Sequence, residues 1–255
     1  MAGCDGFAVR APVSVHDRSV MPDGALLEVA GVRKNYSALR PLRINDLMIR
    51  AGERVAVSGL DAGAAEVLVN LVTGASVPDE GRVVVEGRDT AAISNGDEWL
   101  ASLDRFGIVS PRAVLLEAAT LRQNLAMPLT LAIDPIAPEV AAQSANLAAE
   151  TGIDASWLDR PIAALPDAIK MRAHLVRAIA LGPALLILEH PTATLNRDDV
   201  ETFGQAVAHV AARRSLAALI ISEDMPFAEA AATRRLTLNA ATGDLRPPRR
   251  RIFGF

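Results

Sequence analysis

The sequence is short of several residue types, and each shortage narrows what the protein can be. It has one cysteine, Cys4, so an internal disulfide is excluded. Only Lys34 and Lys170 are lysines, and the other basic residues are arginines. The net charge is −4, and no basic stripe occurs before the last ten residues. We therefore expect no nucleic-acid partner.

Long apolar runs are also missing. No uninterrupted apolar stretch reaches the roughly 18 residues that a membrane-spanning helix needs. The first 26 residues lack the apolar segment of a signal peptide. We therefore expect a cytoplasmic protein. The chain has 255 residues, of which 51% are hydrophobic, and this is enough to bury the core of a large α/β domain.

Composition divides the chain into three parts. Residues 1–25 are polar, show no periodicity and are expected to form a flexible leader. Residues 26–246 form the predicted domain, with a helical insert at about 112–165. Residues 247–255 form a tail that combines arginines with phenylalanines.

The apolar pattern of the domain alternates between strands and helices. Strands are predicted at Leu26–Val32, Leu42–Ile49 and Arg54–Gly59, and a glycine-containing loop then leads into a helix at Ala64–Val72. Continuous apolar runs predict two further strands buried on both faces of a parallel sheet, at Ala184–Leu188 and Ala217–Ile221. Shorter strands are predicted at 82–86 and 106–109, and helices at 139–151, 167–181 and 199–212. This succession is typical of an α/β fold.

Several stretches carry a resemblance to a known family. They are Ala51–Gly59, Asn70–Gly74, Pro78–Gly81 and Arg177–Leu188, the last running on into Pro191 and Thr192. In order and spacing, residues 26–245 resemble the nucleotide-binding domain of ATP-binding cassette (ABC) transporters, particularly the lipid- and lipoprotein-exporting types.

The resemblance implies a fold, a cofactor and partners. The fold would be a P-loop NTPase-like cassette, with a mainly parallel core sheet, an antiparallel β subdomain and a helical insert. ATP with Mg²⁺ would be the cofactor. The partners would be a membrane permease and a second cassette subunit, in a homo- or heterodimer. Such a subunit lies against the inner face of the membrane through its permease.

The phosphate-binding loop departs from the family pattern G-x-x-x-x-G-K-[ST], in which the lysine neutralises phosphate and the hydroxyl binds magnesium. The corresponding window runs from Gly59 to Glu66 and contains Gly63. Ala64 stands at the second glycine of the pattern, Ala65 at the lysine and Glu66 at the hydroxyl. The candidate cofactor-binding positions of this degenerate loop are thus Gly59, Gly63 and Glu66.

Electrostatics indicates the size of this change. Two unit charges about 5 Å apart interact by roughly 3 kcal/mol at an effective dielectric constant near 20. Loss of the lysine removes an attraction of that order, and Asp61 and Glu66 add negative charge. Neither lysine of the chain is close in sequence to the loop. We therefore expect nucleotide binding to be weakened by several powers of ten.

The other nucleotide-contacting positions are changed as well. Pro111 stands at the family's metal-linking glutamine, and Leu165–Ile169 stands at its L-S-G-G-Q signature. Glu223 replaces the switch histidine that contacts the γ-phosphate. Tyr36 alone is retained, at the place of the aromatic residue that stacks on adenine, although a tyrosine packed over a loop explains it equally well.

The end of the strand at Ala184–Leu188 holds the candidate catalytic residues. The family has Asp-Glu-Pro there, and this chain has Glu189, His190 and Pro191. Glu189 is a longer carboxylate at the metal-side position. His190 replaces the glutamate that positions the attacking water, and a histidine titrates near neutrality.

Three interpretations remain open. Retained framework residues around six altered sites favour a non-catalytic subunit that docks on a permease through a groove around Val109–Pro128. An active ATPase would instead use Glu66 and Glu189 on Mg²⁺, His190 as base and Tyr36 on adenine. A soluble interaction module with the cassette fold is the third interpretation. The sequence does not name a transported molecule.

Overall fold

The computed structural model describes residues 24–248, so most of the expected leader and tail, residues 1–23 and 249–255, lies outside the described residues. Within 24–248 there are ten strands: β1 (Ala25–Lys34), β2 (Leu42–Arg50), β3 (Arg54–Ser58), β4 (Glu80–Val85), β5 (Arg88–Asp89), β6 (Phe106–Val109), β7 (Leu185–Glu189), β8 (Ala217–Ile221), β9 (Arg234–Asn239) and β10 (Asp244–Arg246). The same residues form seven α-helices: α1 (Ala62–Val72), α2 (Gly96–Ser102), α3 (Leu121–Ala126), α4 (Pro138–Glu150), α5 (Asp167–Ile179), α6 (Arg197–Arg214) and α7 (Met225–Ala231). None of these helices is long and apolar enough to cross a membrane.

The main sheet has six strands in the order β10-β9-β3-β8-β7-β6. β9, β3, β8, β7 and β6 pair in parallel, and β10 closes the edge as an antiparallel hairpin partner of β9. Every residue of β7 and β8 is buried. The continuous apolar runs predicted this burial, because both faces of a parallel sheet are covered by other elements.

A second, antiparallel sheet has the order β2-β1-β4-β5 and packs with α1 against one face of the main sheet. Alternate side chains of β7 point to opposite faces of the main sheet, and each face has its own hydrophobic cluster. Leu185 and Ile187 belong to the cluster that contains Leu68 of α1 and Ile44 of β2. Leu186 and its neighbour Leu188 face the helices on the other side. The expected fold class, a mainly parallel core with an antiparallel subdomain, is confirmed.

Helices cover the opposite face of the main sheet. Phe203 of α6 and Phe227 of α7 are buried and stack with ring centroids 5.6 Å apart. α3, α4 and two short 3₁₀ turns lie between β6 and α5, where the helical insert was predicted. Arg214, at the end of α6, joins this segment to the core through two hydrogen bonds to Glu150 of α4, of 2.8 and 2.6 Å.

Candidate functional site

The polar residues of the altered motifs meet at the carboxyl edge of the main sheet. β3 leads there into the loop before α1, β6 into Ser110 and Pro111, β7 into His190, and β8 into Glu223. Ligands of open parallel sheets bind at this edge. A cleft of about 790 Å³ lies here, lined among others by Ala62, Pro111, Glu189, His190, Arg197 and Glu223.

The loop between β3 and α1 keeps the glycine that its backbone requires. Gly59 has φ +88°, and a Cβ at this position would lie 2.4 Å from the carbonyl oxygen of Leu238 in β9. α1 begins at Ala62, two residues earlier than predicted, because Asp61 caps it. The Asp61 carboxylate accepts a 2.8 Å hydrogen bond from the backbone N–H of Ala64.

A carboxylate from the next strand occupies the amides of this loop. Glu223 follows β8, and its Oε1 accepts hydrogen bonds from the backbone N–H of Gly59 at 2.6 Å and of Leu60 at 3.3 Å. Backbone N–H groups ahead of a helix are suited to binding an anion. In this chain the anion they bind is a side chain of the protein itself.

Glu189 is the most deeply buried acidic group of the site, with a side chain 2% exposed. The Ser110 hydroxyl donates to its Oε2 at 2.8 Å. The Arg112 guanidinium approaches both carboxylate oxygens, with Nη1 2.9 Å from Oε1 and Nη2 2.8 Å from Oε2. A two-pronged arginine–carboxylate pair is among the strongest polar contacts in proteins.

The same guanidinium also approaches the carboxylate of Glu66 in α1. Nη1 of Arg112 lies 3.4 Å from Oε2 of Glu66. Arg112 therefore lies between the two carboxylates that would bind Mg²⁺ in the active-ATPase interpretation. Within residues 24–248, no group of three or more histidine, cysteine, aspartate or glutamate side chains is arranged to hold a metal ion.

His190 has an unusual backbone. Its φ is +42°, in the left-handed region that few non-glycine residues adopt, although histidine is enriched among those that do. Its N–H donates to the carbonyl oxygen of Ile221 at 2.8 Å. This bond continues the pairing of β7 with β8 one residue past the end of β7. Its Nε2 is buried and has no hydrogen-bond partner within the described part of the chain.

Tyr36 lies beside the loop, in a pocket of about 430 Å³ that Arg40, Arg43, Gly59 and Asp61 also line. A Cβ at Gly63 would lie 3.4 Å from Cε2 of its ring, so the ring packs over the start of α1. Burial, and then the negative charge of Asp61, raise the pKa of the phenol.

Both lysines are engaged elsewhere. Lys34 Nζ lies 2.9 Å from Oδ1 of Asp79, and Lys170 Nζ lies 3.6 Å from Oδ1 of Asp167. Ala65, at the place of the family's lysine, is fully buried in the core. A phosphate chain would need the amides that Glu223 holds, and Mg²⁺ would need the carboxylates that Arg112 holds. In this arrangement the residues do not fit a Mg²⁺–ATP complex.

A separate groove of about 380 Å³ lies where β6 meets the helical segment and α5. Phe106, Ile108, Met127, Pro128 and Leu181 form much of its apolar lining. His174 and Arg177 of α5 add polar groups to it. Burial, and then the charge of Arg177, lower the pKa of His174 to about 4.

Sequence analysis missed Arg112 and the hydrogen bonds of Glu223 to the loop. A positive charge that replaces the lysine was expected only from residues near the phosphate loop in sequence. Arg112 is remote from that loop in sequence, because it belongs to the loop after β6. A signal was present, because Arg112 follows a predicted strand by three residues. The carboxyl ends of parallel strands converge at one edge, so a charge there is close in space to the loop.

Comparison with known proteins identifies the family. The family model for ABC transporters matches residues 42–193. The methionine import ATP-binding protein MetN of Caulobacter vibrioides is 31% identical over 76% of this chain and 58% of its own length. The lipoprotein-releasing system ATP-binding protein LolD of Anaeromyxobacter dehalogenans is 30% identical over 80% of this chain and 86% of its own length. The chain spans 54 to 60% of the methionine and iron import relatives it matches.

Solved structures support the fold. CbiO1 of Clostridium perfringens, part of the ABC transporter complex cbiONQ, has a TM-score of 0.74 at 21% identity, with 88% of each chain covered. The dimeric bacterial ABC transporter cassette MJ0796 has a TM-score of 0.72 at 19% identity, covering 90% of this chain and all of that one. Because the family model covers more than half of the residues and the fold agrees, the chain belongs to the ABC transporter family, as an ATP-binding cassette.

Proposed function

We propose that this chain is a non-catalytic cassette subunit of an ABC transporter, one that docks on a membrane permease without hydrolysing ATP. The observation that carries the proposal is the pairing of Arg112 with Glu189 and Glu66. An active cassette uses the positions of Glu66 and Glu189, a hydroxyl and a carboxylate in the family, to hold Mg²⁺, which neutralises the phosphates during transfer. Here an arginine supplies the positive charge, and no lysine stands in the phosphate loop.

Docking would use the groove beside β6. Its lining is mainly apolar, and Leu181 at its edge is 53% exposed. A groove with exposed apolar residues and a polar rim is suited to an amphipathic helix of a partner. In the family this is the region that receives the permease, and binding there would hold the subunit at the inner face of the membrane.

A second cassette subunit would complete the transporter. The related cassette MJ0796 is described as a dimer. A homodimer of this chain would carry two altered signature sequences, Leu165–Ile169, so both of its composite sites would be impaired. We therefore favour a heterodimer with an active partner cassette. The permease would determine the transported molecule.

A substitution in the groove tests the proposal. Leu181→Asp places a charge in the apolar groove, and we expect it to abolish co-purification with the permease from detergent-solubilised membranes of cells that produce both. Leu39→Asp is the matched control, because Leu39 is fully exposed and lies outside the groove. The proposal is wrong if the natural chain fractionates without a permease, as the soluble interaction module would.

One observation favours the alternative of an active ATPase. Nε2 of His190 has no hydrogen-bond partner within residues 24–248, and the residue lines the large cleft, so this alternative assigns the base to His190 once its buried Nε2 becomes accessible to water. This alternative requires Arg112 to leave Glu189 and Glu66 so that both can bind Mg²⁺. Magnesium-dependent turnover that disappears in Glu189→Gln would establish it.

A further inference from the structure

The candidate site contains two charged side chains whose contacts link different segments of the chain. Glu223 links the end of β8 to the loop before α1. Arg112 links the loop after β6 to Glu189 at the end of β7 and to Glu66 in α1. Together the two side chains connect these five segments at the carboxyl edge of the sheet.

We infer that these side chains are internal substitutes for the ligand: the Glu223 carboxylate takes the place of a phosphate, and the Arg112 guanidinium takes the place of the metal ion. This inference rests on the proposed function and adds a specific mechanism to it. The site is closed by the chain's own charges, which exclude phosphate anions and divalent cations and hold the edge of the sheet in one arrangement without nucleotide.

The anion side follows from hydrogen bonding. The N–H groups of Gly59 and Leu60 converge on a single carboxylate oxygen, at 2.6 and 3.3 Å. A phosphate oxygen would compete for the same donors and would also face the negative charge of Glu223. Because Glu223 is attached to the fold, its local concentration at the amides exceeds that of any free anion.

The cation side follows from charge balance. Glu189 is 2% exposed, and a buried carboxylate is costly unless it is paired. Arg112 pairs with both of its oxygens, and the Ser110 hydroxyl adds a further hydrogen bond. Glu66, half exposed, completes the surroundings of the guanidinium. A divalent cation would have to displace this guanidinium to reach either carboxylate.

Two substitutions separate the two sides, with pyrophosphate and Mn²⁺ as probes. Glu223→Ala frees the loop amides, and we expect its dissociation constant for pyrophosphate to be at least about tenfold lower than that of the natural chain. Arg112→Ala leaves Glu189 and Glu66 unpaired, and we expect one bound Mn²⁺ by electron paramagnetic resonance where the natural chain binds none.

Matched controls exclude an effect of net charge. Glu229→Ala and Arg105→Ala make the same charge changes in ion pairs, with Arg235 and Glu86 respectively, whose residues do not line the cleft. Neither should gain affinity for a probe. Thermal unfolding confirms that each variant folds, and pyrophosphate should raise the unfolding temperature of Glu223→Ala alone. If an alanine variant does not fold, Glu223→Gln and Arg112→Gln replace it, with a smaller gain expected.

The inference is overturned if the natural chain binds pyrophosphate and Mn²⁺ as tightly as the variants do, or if folded variants gain neither probe. Permease binding provides a separate readout. If the variants bind the probes but the natural chain never co-purifies with a permease, the internal substitution is supported and the proposed function is wrong. If the natural chain co-purifies with a permease but neither variant binds its probe more tightly, the proposed function is supported and the internal substitution is wrong.

Discussion

At the scale of single residues, the titration of His174 tests how deeply its imidazole is buried in the lining of the groove beside β6. Its pKa is lowered to about 4 from an ordinary value of 6.5, first by burial and then by Arg177. Below pH 6.5 the unfolded chain takes up a proton at this position that the folded chain resists. The free energy of unfolding should therefore fall as the pH decreases from about 6.5 to about 4.

Nuclear magnetic resonance of the histidine rings checks this directly, with one ring expected to titrate near pH 4. His174→Gln should reduce the loss of stability between pH 7 and pH 5 in urea titrations, and His209→Gln serves as the control for removing a histidine. A His174 ring that titrates near its ordinary value would contradict the burial seen here.

Residue-level interpretation of the sequence was possible where the argument was local. The replacement of the phosphate-loop lysine by Ala65 can be read from one short window. The contacts of Glu223 and Arg112 could not be read in this way, because each joins segments far apart in the chain. Residues 60 and 223 meet only once β3 and β8 are adjacent in the sheet.

At the scale of elements, the pair between Arg214 and Glu150 joins α6 to the helical segment. Their side chains are 28% and 15% exposed, and their closest atoms lie 2.6 Å apart. Arg214→Ala would leave the mostly buried carboxylate of Glu150 without its partner. We expect a loss of roughly 1 to 3 kcal/mol in the free energy of unfolding, measured by urea denaturation.

Arg246→Ala is the control for this measurement, because Arg246 is 73% exposed and pairs with Asp244 at the surface. We expect no measurable change in the free energy of unfolding from it, because water and salt screen an exposed ion pair. Equal losses in the two variants would show that the pair does not anchor α4.

Long periodic elements were predictable and short ones were not. β6 and β8 have the predicted bounds, and α5 begins at the predicted residue. α2 and α7 were missed, since seven residues give less than two full helical turns of periodicity. The early start of α1 depends on the Asp61 cap, which a search for apolar spacing does not detect.

At the scale of the whole molecule, the cassette fold and the family followed from sequence because framework positions are distributed along nearly the entire domain. The state of the nucleotide site is a property of the assembled sheet edge. The motifs show which family residues are replaced in this sequence, whereas the contacts that the replacing residues make required the structure. In the proposed function, the fold is retained for binding partners and its site is filled by its own charges.

Calorimetric titration of the natural chain with ATP and Mg²⁺ is the most direct test of the proposal that Glu223 and Arg112 close the nucleotide site. We expect no heat of binding up to ~1 mM ATP, because the proposal places these side chains at the positions of phosphate and metal. Binding at micromolar concentration would contradict it, and would mean that Arg112 yields Glu189 and Glu66 to magnesium.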